Sequence, residues 1–140
     1  MKITSNIGRD LSNPEAKLIA VVDDDKSLVE ATVSLMGSVG FNAEGFLSAE
    51  DFLTSPRLRS TACLILDVCM PGMGGLELQR LLAARNHRIP IIFITANGSE
   101  DVSARALEDG AVAFLHKPFS QESLLRAVRL AIDASKKDSR

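Results

Sequence analysis

The sequence contains no tryptophan and no tyrosine, so any aromatic function falls to its six phenylalanines. It has only two cysteines, Cys63 and Cys69, six residues apart. Their spacing is neither a CxxC pair nor a secreted disulfide framework, so both are read as reduced, with Cys63 in the core. Basic residues are not in excess. Sixteen Lys and Arg against eighteen Asp and Glu give a formal net charge of −2, and with a pI near 5.7 the chain has no field to hold nucleic acid by phosphate neutralisation. No DNA-reading motif is present, so contact with DNA would need a partner. No apolar run approaches the roughly 18 residues of a membrane helix. The opening Met1–Arg9 segment lacks the apolar core of a signal peptide, and the expectation is a cytoplasmic protein with no membrane contact. Internal repeats, low-complexity tracts and a linker to a second domain are also missing.

What is present suits one compact domain: 140 residues, 46% of them hydrophobic. Residues 1–16 lack periodicity and read as a flexible N-terminal extension, the domain occupies 17–135, and 136–140 form a polar tail. Within the domain, apolar strand-like runs alternate with helical patterns five times, which predicts an α/β fold with a doubly wound parallel sheet. The predicted strands are Leu18–Val22, Asn42–Phe46, Cys63–Asp67, Ile89–Thr95 and Ala113–Leu115. Ser27 with Glu30 forms a capping-box pattern, and Ser48, Ser99 and Ser120 are N-cap candidates before amphipathic stretches. Gly40 and Gly110 sit where a left-handed residue would end the first and fourth helices, and a last helix runs from Gln121 to about Ser135. Along it Leu124, Leu125, Val128 and Ile132 recur at helical spacing and read as a core-facing stripe.

Three consecutive acids, Asp23, Asp24 and Asp25, follow the first strand. Two carboxylates ~4 Å apart at an effective dielectric of about 20 repel by roughly 4 kcal/mol, so a cluster that converges in the fold calls for a cation. Parallel strands point their carboxyl ends at one edge of the sheet, where ligands bind at the reversal of strand order. Reading those ends in order gives Asp23 and Asp24, then Asp67, Thr95 and Lys117. One or two carboxylates plus waters are the ligands Mg²⁺ uses, with positions left for phosphate oxygens. Asp67 is then free to attack phosphorus and hold an acyl phosphate, while the metal and the Lys117 ammonium neutralise the equatorial oxygens and Thr95 offers a hydroxyl. Each of these residues also has a plain alternative as a helix-start acid, a strand former or a solvated lysine; their joint placement carries the argument.

From Leu18 to about Ser135 the chain resembles a receiver domain of two-component response regulators, the CheY-like superfamily, through "VVDDD", "LILDVCMPGMGG", "IIFITA" and "FLHKPF" in order. The resemblance implies a five-stranded flavodoxin-like (βα)5 fold with strand order 2-1-3-4-5. It implies that Asp67 is the phosphoacceptor and that Asp23 and Asp24 are the acidic pair of the metal site, with Asp24 favoured over Asp23 as a direct ligand. The backbone carbonyl of Cys69 would complete the protein's share of the Mg²⁺ shell. Lys117-Pro118 corresponds to a cis peptide bond, and Asp25 is left as a helix-start charge. Thr95 and Phe114 correspond to the switch pair, although many receivers have Tyr where this chain has Phe114, and a plain core role for Phe114 stays open. Cys69 and Asn97 stand at positions that tune hydrolysis in the family. The implied partners are a sensor histidine kinase or histidine phosphotransfer protein, and a downstream protein reading the fourth helix, fifth strand and fifth helix, roughly Glu100 to Ser135. A homodimer formed on phosphorylation is a further implication.

Other readings fail on particular residues. A calcium loop counted from Asp23 puts Leu28 at the sharp-turn glycine and Ser34 at the bidentate glutamate. Gly72, Gly74 and Gly75 do not make a dinucleotide fingerprint, since Glu77 replaces the third glycine. A phosphatase of the haloacid dehalogenase type wants a general acid two residues past the nucleophile, where Cys69 stands. His87 and His116 have no paired carboxylate evident from sequence. The remaining choice lies between a stand-alone receiver, favoured by the ending at Lys136–Arg140, and the receiver half of a helix-turn-helix transcription regulator.

Overall fold

A computed structural model describes residues 2–5, 17–96 and 100–138, the side chains of 2–5 and 136–138 excepted. The strands are β1 (Lys2–Ser5), β2 (Leu18–Val22), β3 (Ala43–Phe46), β4 (Thr61–Asp67), β5 (Ile91–Thr95) and β6 (Ala113–His116). The helices are α1 (Lys26–Ser38), α2 (Ala49–Leu53), α3 (Gly75–Ala84), α4 (Glu100–Glu108) and α5 (Gln121–Asp138), with a 3₁₀ turn at Leu58–Ser60.

The order across the sheet is β1-β3-β2-β4-β5-β6. The five strands from β2 to β6 pair in parallel and, counted from β2, realise the expected order 2-1-3-4-5. β1 is an addition, lying antiparallel against β3 with Lys2 opposite Phe46 and Ser5 opposite Ala43. It falls inside the segment expected to be a flexible extension, and its four residues are too few and too polar to announce a strand.

Strand side chains alternate between the two faces, so the central parallel strands, covered on both faces, are apolar on both sides. On one face Ile19, Val21, Cys63, Ile65, Ile92 and Ile94 pack with Val29, Val33 and Met36 of α1 and with Leu124, Ala127, Val128 and Ala131 of α5. On the other, Ala20, Val22, Phe46, Leu64, Leu66 and Phe93 pack with Phe52 of α2, Leu78 and Leu82 of α3 and Ala106 of α4. Fully burying one such large apolar side chain stabilises by roughly 1.5–3 kcal/mol, which holds the three layers rigidly in register. Leu124 and Val128 are buried and Leu125 and Ile132 partly so, as the stripe on α5 requires.

Helix ends follow the sequence signals with one correction. Ser48 accepts from the Asp51 amide and Ser120 from the Ser123 amide. The first helix, however, is capped by Asp25, whose carboxylate accepts from the Leu28 amide at 3.2 Å. The Ser27–Glu30 pattern lies two residues too late, because a side-chain acceptor three residues before an orphan amide is already supplied by Asp25. Gly40 and Gly110 take positive φ values of 93° and 101°, as C-cap glycines do. Ser99 and Asn97 lie outside the described residues.

Candidate functional site

The strand order reverses at β2, whose chain neighbours β3 and β4 lie on its opposite sides, so the carboxyl ends of β2 and β4 flank a crevice. Asp23 and Asp24 follow β2 and Asp67 ends β4. Their carboxylate oxygens lie within 4.8 Å of one another. Lys117, just past β6, reaches back across the sheet to place its ammonium 2.9 Å from Asp23 Oδ2 and 3.8 Å from Asp67 Oδ2. Its backbone is fixed by a hydrogen bond of 2.8 Å that its amide donates to the Thr95 carbonyl, and Lys117-Pro118 is cis.

Asp23 and Asp67 are buried, while Asp24 is exposed. Asp23 is held on both oxygens, with Oδ1 accepting from the Asp25 amide at 2.9 Å and Oδ2 from Lys117. Asp67 Oδ1 accepts a long bond of 3.4 Å from the Cys69 amide. Burial, followed by the charge of Asp23, pushes the Asp67 carboxyl up to about 6, with a smaller push from Asp24; Lys117 and the Cys69 amide pull the other way without cancelling it. Burial works to lower the Lys117 pKa, but the hydrogen bond to Asp23 and the charges of Asp23, Asp67 and Asp25 outweigh it and raise the net value. Three carboxylates against one ammonium leave the cluster two negative charges in excess. A divalent cation with oxygen ligands matches that excess in both charge and donor type.

Thr95 ends β5 and is fully buried beside this edge. Phe114 on β6 is half-buried, its ring 6.1 Å from Phe93 and 5.4 Å from the exposed His116. Cys63 is buried, and burial pushes its thiol up to about 12. Cys69 is exposed.

The turn from Asp67 to α3 is unusually close. Gly75 returns its amide to the Val68 carbonyl at 2.9 Å, and a methyl group at Gly75 would overlap the carbonyl oxygen of Asp67. Sequence reasoning missed a second contact to this loop, in which Glu50 Oε2 of α2 accepts from the Met73 amide at 3.3 Å. The two residues are 23 apart in the chain, and no local pattern announces their meeting.

The family model of the response regulator receiver domain matches residues 19–129. The chain belongs to this family. Among curated relatives, the response regulator protein TmoT of Ectopseudomonas mendocina is 42% identical over 131 residues, covering 94% of this chain and 60% of that protein. The transcriptional regulatory protein FixJ of Azorhizobium caulinodans is 34% identical over 127 residues, covering 91% of this chain and 60% of its own. The solved structure of the response regulator StyR superposes with a TM-score of 0.81 at 41% identity, covering 88% of this chain and 62% of that one. This receiver domain thus spans about half to three-fifths of the length of the curated relatives it matches. No described helix is long and apolar enough to cross a membrane.

Proposed function

We propose that the receiver domain takes a phosphoryl group from a histidine kinase or histidine phosphotransfer protein onto Asp67. A carboxylate oxygen of Asp67 forms the new O–P bond as the P–N bond of phosphohistidine breaks and its electron pair returns to the imidazole. The supporting observation is the meeting of Asp23, Asp24 and Asp67 within 4.8 Å, with one ammonium bonded to Asp23 and 3.8 Å from Asp67. Asp23, Asp24, Asp67 and the Cys69 carbonyl would hold Mg²⁺, which supplies charge neutralisation at the phosphoryl oxygens. Lys117 shares that neutralisation. Phosphorylation adds about −1.5 to −2 charge, enough to draw the Lys117 ammonium and the Thr95 hydroxyl toward Asp67. Phe114 then follows into the space that Thr95 leaves.

The partner-reading face is assigned to α4, β6 and α5. In its support, Ala106 is the buried residue of α4, while Leu107 on α4 and Leu130 on α5 are 46% and 57% exposed. A phosphorylation-dependent homodimer through the same face, in the cytoplasm, belongs to this reading. FixJ is a transcriptional regulatory protein of greater length, which favours the receiver half of a transcription regulator over the stand-alone form expected from the sequence.

The test is exposure to acetyl phosphate and Mg²⁺ with intact-mass detection. The parent should gain one phosphoryl group and Asp67→Asn none. Equal uptake by the variant would remove Asp67 from its role, and phosphotransfer profiling against the host's histidine kinases would identify the input.

A further inference from the structure

We infer that Glu50 is a positioning residue for the phosphoacceptor loop, holding residues 68–74 from the outside so that Asp67 and Cys69 keep their relative placement. This inference rests on the phosphoacceptor reading of Asp67.

Glu50 stands in the first turn of α2, a five-residue helix whose start is fixed by Ser48 and whose Phe52 and Ala49 are buried against the sheet. Its backbone is therefore anchored although its side chain is exposed. From there Oε2 accepts the Met73 amide at 3.3 Å. The same oxygen would lie 3.1 Å from a Cβ built on Gly72, which takes φ +75°. The carboxylate thus sits against the one loop residue that must adopt a left-handed conformation free of a side chain, and ties down the amide that follows it.

Among the described residues the loop has few other fixed points. Its start is set by the Val68 amide on the Ile94 carbonyl at 3.0 Å, and its end by the Gly75 amide on the Val68 carbonyl at 2.9 Å. Between them the Cys69 amide makes its 3.4 Å bond to Asp67. Met73 lies two residues before Gly75, so the Glu50 contact adds a fixed point where the loop folds back toward Asp67. Glu50 touches none of the reacting groups. It acts through the loop, which also carries the carbonyl of Cys69.

Two variants test this in the full chain. Glu50→Ala removes the acceptor, and Glu50→Gln keeps an oxygen there without the charge. With Glu50→Ala, amide hydrogen exchange at Met73 and Cys69 in metal-free protein should speed up roughly fivefold, the factor given by losing one hydrogen bond's net stabilisation. The Mg²⁺ concentration for half-maximal acetyl phosphate labelling should rise by a similar factor, the thermal midpoint should fall by only a few degrees, and the labelling rate at saturating Mg²⁺ should stay near the parent's. Glu50→Gln should recover most of both effects. Unchanged exchange and Mg²⁺ dependence in Glu50→Ala, or equal losses in the two variants, would overturn the role. Asp67→Asn is run alongside: labelling that survives in that variant defeats the phosphoacceptor reading itself, whereas its loss together with a silent Glu50→Ala defeats only the positioning role.

Discussion

Lys117 is bonded to Asp23 rather than to Asp67: its ammonium stands 2.9 Å from the first and 3.8 Å from the second. In the unphosphorylated state the lysine therefore balances the buried acid of β2, and only secondarily the residue proposed to be phosphorylated. Phosphoryl oxygens on Asp67 would compete for it, which gives a physical route from chemistry on β4 to a movement at the end of β6.

Removing that ammonium leaves Asp23, fully buried, without its partner. Lys117→Ala is expected to lose about 2–4 kcal/mol in metal-free buffer, somewhat less than for a wholly buried pair because the lysine side chain is 22% exposed. Urea unfolding with and without Mg²⁺ checks this, and saturating Mg²⁺ should recover part of the loss. Titrating a partner against both phospho-states should also show weaker coupling than in the parent.

The raised Asp67 pKa sets a pH dependence with a definite sign. A carboxyl at about 6 in the fold against 3.8 when free binds its proton more tightly in the folded state. Its contribution to stability is therefore fully present below about pH 4 and is lost as pH rises through about 6. Urea midpoints taken across this window in the presence of a chelator should fall for the parent, after allowance for other carboxylates, more steeply than for Asp67→Asn. At pH 7 the metal-free Asp67→Asn protein should be the more stable of the two.

Two glycines predict unequal outcomes on substitution. A Cβ at Gly75 collides with the backbone of Asp67 and Val68, neither of which is a flexible side-chain end, whereas one at Gly110 meets nothing within 4 Å. Gly75→Ala is expected to lose about 2 kcal/mol or more and to slow acetyl phosphate labelling. Gly110→Ala should lose only about 1 kcal/mol, from its positive φ, and label at the parent's rate.

Much of this was legible in the chain because parallel strands leave a coarse signature. Leu18–Val22 was recovered at both ends, and Asp67 and Thr95 closed their strands where expected, since burial on both faces makes such strands continuously apolar. The cluster of Asp23, Asp24, Asp67 and Lys117 followed from a topological rule that converts strand ends into neighbours. What escaped was long-range or degenerate. β1 gains its strand character by pairing with β3, and Glu50 is defined by a loop met only after folding. At the start of α1 two chemically sound caps lay two residues apart, and only the geometry chose Asp25.

The contrast between the two cysteines makes the protein its own reporter. Cys63 is sealed in the core with a thiol hard to ionise, while Cys69 opens to solvent two positions beyond Asp67. In a chain with no tryptophan or tyrosine, a thiol-directed fluorophore would attach at one place, and its emission would follow the loop beside the proposed phosphoacceptor in real time.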